Sequence, residues 1–71
     1  MTKKQAAALK PGDRIVTKDG EEWTVIRCYG GWHGFLTSKE ISEKKEYDFY
    51  EIVVRESPYL AYNHKVVQLA K

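Results

Sequence analysis

Apolar and polar residues alternate at every second position in two stretches of the chain, and those stretches set the expected architecture. From Tyr47 to Arg55, Tyr50, Ile52 and Val54 alternate with Glu51, Val53 and Arg55. This is the period of a strand with a buried face, and β-branched and aromatic residues dominate it. From Leu9 to Ile26 (LKPGDRIVTKDGEEWTVI) the pattern reads as a hairpin, with Asp13–Thr17 and Glu22–Tyr29 as paired strands and Ile15, Trp23 and Val25 facing inward. Pro11-Gly12 is a turn dipeptide, and Asp19-Gly20 supplies the positive φ angles a tight hairpin needs. The alternation blurs at Val16 and at Val25-Ile26, which predicts a bulge or burial on both faces.

Weaker patterns fill the rest. Thr2 is placed to cap a short helix over Lys3–Leu9, which Pro11-Gly12 would stop. Tyr29-Gly30-Gly31-Trp32-His33-Gly34 holds three glycines in five residues and reads as a loop, followed by a short strand at Phe35–Thr37. Lys39–Glu46 is almost wholly polar around Ile41, and its Lys39/Glu43 and Glu40/Lys44 spacings fit either a helical turn or a charged hairpin tip. Ser57-Pro58 breaks the pattern, Tyr59–Tyr62 fits a 3₁₀ turn, and Lys65–Leu69 a last strand. Five short strands without a long helix predict a mainly β fold, a small SH3-like five-stranded barrel with a short N-terminal helical turn. Residues 1–71 make one domain, in which 1–9 is a helix or a tail.

Composition narrows the function more than it names it. A chain of 71 residues buries only about 60% of its unfolded surface, which leaves little room for a deep catalytic cleft. Apolar residues at 42% against 31% charged mark a folding chain rather than a disordered one. The lone cysteine, Cys28, excludes an internal disulfide and suits the cytoplasm. The apolar run Ala6–Leu9 is too short for a signal peptide, and no stretch approaches a membrane span.

Candidate chemistry is sparse. Cys28 and His33 stand with four residues between them, and only His64 and carboxylates remain to complete a metal site or a thiol–imidazole pair. Neither a metal, a cofactor nor an enzymatic activity is expected. The glycine loop lacks the lysine and hydroxyl of a phosphate-binding loop.

Aromatic residues carry the functional expectation, because nine of them are more than so small a core hides. Trp32, between glycines, is the expected anchor of an exposed patch with Tyr29, Tyr59 and Tyr62, suited to a protein partner. The alternative is nucleic acid. Residues 1–20 hold Lys3, Lys4, Lys10, Arg14 and Lys18 against Asp13 and Asp19, a local excess of +3 in a chain of net charge +2. Such a face can neutralise phosphates while aromatic rings stack on bases. Glu40, Glu43, Glu46, Asp48, Glu51 and Glu56 oppose it, leaving 39–56 at −2.

The segments KKQAAALKPGDRIVTKDGEEWTVI and CYGGWHGF resemble the YorP family, small proteins of bacilli and a related prophage. The resemblance implies a phage-associated, mainly β protein and brings no functional residues with it. The sequence therefore reads as a non-enzymatic binding module, monomeric by default, with an unidentified protein as its partner.

Overall fold

The chain starts with a capped helical turn. In the computed structural model, which describes residues 1–70, helix α1 (Lys3–Ala7) is closed by a capping box: the Thr2 hydroxyl accepts from the Gln5 amide and the Gln5 side chain accepts from the Thr2 amide. The helix is shorter than Lys3–Leu9, and a type II turn at Lys10–Asp13 follows it, with Gly12 at φ 96° and the Asp13 amide bonded to the Lys10 carbonyl.

Strands β1 (Arg14–Thr17) and β2 (Glu22–Gly31) form the expected hairpin, pairing Ile15 with Trp23. Its tip differs from the expectation. Only Gly20 has a positive φ, 85°; Asp19 does not. The Gly20 amide bonds the Thr17 carbonyl and the Thr17 amide bonds that of Glu21, the pattern of a three-residue loop ending in a left-handed glycine.

Strand β2 runs ten residues and serves two partners. Residues 22–24 pair with β1, and 25–31 pair with β3 (Phe49–Val54). Between these halves the register shifts: Val25 faces Val54, Arg27 faces Val53, and Ile26 is the extra residue. This bulge brings Val25 and Cys28, three apart in sequence, onto the same inward face. The blurred alternation at Val25-Ile26 has this cause.

Gly30 and Gly31 belong to β2 and not to a loop, and neither has a positive φ. They are bare so that rings can lie on them. A methyl on Gly30 would overlap the Tyr47 ring, and one on Gly31 would sit 2.7 Å from Phe49. An aromatic ring covering a strand glycine restores the packing that the missing side chain forfeits.

The expected strand at Phe35–Thr37 does not form. After β2 the chain leaves the sheet, Phe35 is fully exposed, and helix α2 (Ser38–Glu43) follows with Thr37 and Glu40 as a second capping box. No residue of α2 is buried. Without an apolar partner for Phe35, local turn and capping chemistry decides the segment.

Strand β4 (Ser57–Asn63) also overrides the reading of Ser57-Pro58 as a break and Tyr59–Tyr62 as a 3₁₀ turn. Sheet order is β4-β3-β2-β1 and then β5 (Val67–Leu69), so β4 is an edge, where proline is tolerated. The 3₁₀ turn lies instead at His64–Val66. There the buried His64 ring accepts the Tyr50 amide through Nδ1 at 3.2 Å.

The protein is thus mainly β, five antiparallel strands in one bent sheet. The small barrel is open, because its two edge strands do not pair with each other. One core holds it: Ile15, Val25, Ile52, Val54 and Val67, with Met1, Leu9, Trp23, Cys28 and Tyr62 packed around. The Met1 ammonium donates to the His64 and Val67 carbonyls, which covers part of the β5 edge.

Candidate functional site

The four aromatic candidates occupy three different settings. Tyr62 faces inward, paired with Ile52 and packed on Trp23 with ring centroids 5.1 Å apart. Ser57, five residues earlier, pairs with Val54. Since Ile52 and Val54 are only two apart, residues 58–61 have a single opposite residue, Val53, and must bulge out of the edge strand. The Tyr62 hydroxyl donates to Ser57 Oγ at 3.0 Å, a bond that closes the base of this bulge.

At its crest stand Tyr59, 96% exposed, and Leu60, 59% exposed, directly after Pro58. Two consecutive large apolar side chains are thereby displayed on backbone whose ends are fixed. Tyr59 and Tyr62 therefore belong together, one displayed and the other holding the display.

Trp32 does not anchor an exposed patch. It is half-buried and stacks on Tyr47 at 4.9 Å, and Tyr47 in turn meets Tyr50 edge-on at 5.6 Å. Its ring backs the Tyr47 ring that covers Gly30. Among the described residues the buried indole N–H has no acceptor. A cleft of about 220 Å³ borders it, but two of the charged groups there are already engaged, Lys44 with Asp48 and Glu46 with Lys3. Tyr29, 44% exposed, lies on the outer face with the Arg27 guanidinium 5.9 Å from its ring centre.

The five basic candidates do not form one uncompensated face. Lys3 Nζ binds Glu46 at 2.7 Å and the Tyr47 carbonyl at 3.2 Å, and the Glu46 bond raises its pKa above the ordinary lysine value. Arg14 meets Glu22 at 3.4 Å. Lys4 lies in the last turn of α1, Lys10 in the type II turn, and Lys18 at the hairpin tip.

The acids of 39–56 are tied to local structure more than they form a solvated face. Glu56 accepts the Thr24 amide at 2.8 Å and its hydroxyl at 3.2 Å, and these bonds hold its carboxyl below the usual range. Asp48 is lowered likewise by Lys44 at 2.8 Å and by the His33 amide at 3.1 Å. Glu40 is lowered by capping Thr37.

Cys28 points to the core side, its thiol donating to the Ala6 carbonyl at 3.4 Å, and burial pushes its pKa up. His33 stacks on Phe49 at 5.1 Å, on the other face of the sheet, and His64 is engaged with Tyr50. Among the described residues no three metal-ligating side chains converge. Among the described residues no helix is long and apolar enough to cross a membrane.

No protein-family model, curated protein or solved structure matches the chain. The sequence does not separate the roles of Tyr59 and Tyr62, because only the register shows which one turns inward. Leu60 is hidden there within an expected turn and Phe35 within an expected strand.

Proposed function

We propose that the protein is a small non-enzymatic binding module, of the phage-associated kind its resemblance implies, that engages a protein partner through Tyr59 and Leu60. The observation carrying this reading is the closed bulge of β4, which displays two exposed large side chains on a backbone segment fixed at both ends before any partner arrives. Preorganisation of this kind reduces the entropy lost on binding, tyrosine is among the residues enriched at binding hot spots, and Leu60 adds apolar area beside it. Phe35 is as exposed, but it stands on a segment whose following helix buries nothing, so ordering it would cost more. Nucleic acid is the weaker reading, since Lys3 and Arg14 are engaged by Glu46 and Glu22.

Selection of random peptides on the immobilised protein tests the reading. Enriched peptides should bind the Tyr59→Ser, Leu60→Ser double variant at least about 30-fold more weakly, the effect of losing a hot spot. Thermal stability should hardly change, because both side chains are exposed. No enrichment, or peptides indifferent to both substitutions, would overturn it.

A further inference from the structure

A second surface, built by β1, β5 and the 3₁₀ turn, shares no lining residue with the β4 bulge and has its own chemistry. Val16 pairs with Gln68 on the face of β1 and β5 opposite Ile15 and Val67, which lie in the core. Lys18, two residues beyond Val16, rises from the hairpin tip, and Lys65 and Val66 come from the 3₁₀ turn. Together these five residues line a cleft of about 510 Å³.

Four features define what fits there. Val66 is 55% exposed and Val16 half-buried, so the cleft has apolar walls. No carboxylate lines it: Asp19, next to Lys18 in the turn, does not, and Glu22, which pairs with Val16 from β2, is engaged by Arg14 at 3.4 Å. Among the described residues neither Lys18 nor Lys65 is in an ion pair, whereas Lys3, Arg14 and Lys44 each have an acid within 3.4 Å. There is also no aromatic ring in the lining, so bases would have nothing to stack on.

We infer that this cleft is a docking site for an acidic, extended segment of a protein, which places an apolar side chain between Val16 and Val66 and carboxylates beside Lys18 and Lys65. Two ammonium groups outside any ion pair, beside two valines, are the charge complement of such a segment. Lysine suits it because its flexible stem accepts carboxylates at several spacings. Lys65 could not be found from sequence, since only the fold brings residue 65 beside residue 18.

Three fluorescein-labelled probes test the inference: a twelve-residue peptide alternating Glu and Val, the same peptide with Gln for Glu, and a twelve-nucleotide oligo-dT strand. The Glu peptide should bind best, and more weakly as salt rises from 50 to 300 mM. Lys18→Gln, Lys65→Gln should weaken it about tenfold, two partly exposed charge pairs being lost. Lys4→Gln, Lys10→Gln should leave it unchanged, and Val66→Ser should weaken both peptides. The inference is overturned if the Glu peptide does not bind, if the two double variants act alike, or if oligo-dT binds more tightly than the Glu peptide. All these side chains are exposed, and a thermal melt of each variant verifies folding.

Discussion

Gly30→Ala is the substitution most revealing of how this sheet is packed. A β-carbon there would overlap the Tyr47 ring, and that ring cannot simply retreat. Trp32 stacks on it at 4.9 Å, Tyr50 abuts it at 5.6 Å, and Lys3 binds the Tyr47 carbonyl at 3.2 Å. Overpacking of this type costs about 1–3 kcal/mol. Against it stands the backbone gain of alanine over glycine in a strand, about 0.5–1 kcal/mol. The net expectation is a loss of about 0.5–2 kcal/mol, or several degrees in Tm for a domain of this size. In a Tyr47→Ala background the clash is gone, so the same change should stabilise by about 0.5–1 kcal/mol. The sign reverses, and the coupling between the two positions comes to about 1–3 kcal/mol. Urea unfolding of the four proteins, followed by tryptophan fluorescence, measures this directly. Equal effects of Gly30→Ala in both backgrounds would refute the view that glycine is there to admit the ring.

Three further outcomes are expected. Tyr62→Phe removes the hydroxyl that closes the bulge; it should cost about 0.5–1.5 kcal/mol and speed amide exchange at 59–61 above all, and a uniform rise across the sheet would count against the closing role. Glu56, whose folded pKa lies below its ordinary 4.5, contributes stability that is complete above that value and is lost as pH falls through the folded pKa. The acid limb of a pH–Tm curve should therefore be shallower for Glu56→Gln, and superimposable curves would show that its bonds to Thr24 contribute nothing. Cys28, raised by burial and bonded to Ala6, should react slowly with iodoacetamide at pH 8 in the folded protein and quickly in urea; equal rates would contradict its placement.

What the sequence made legible was local. Lys10–Asp13 and the tip near Gly20 are turns whose residues decide their own backbone, and Thr2 caps α1 from one residue away. The errors came where distant residues decide. Gly30 and Gly31 look like a flexible loop until Tyr47 and Phe49 arrive some eighteen residues later and need bare strand to lie on. Pro58 looks like a stop until the sheet order makes β4 an edge. The same non-locality hid the site: Tyr59 and Tyr62 are indistinguishable as letters, and the register with β3 alone turns one out and the other in.

Ile26 gives the bend of this fold an unusually simple genetic basis. With that residue deleted, Val25, Arg27 and Cys28 would run without interruption opposite Val54, Val53 and Ile52, every partner unchanged. A straight strand and a bent one are thus one codon apart here. Gain or loss of a single residue can move such a chain between a flatter sheet and a curled one while its core keeps every side chain it had.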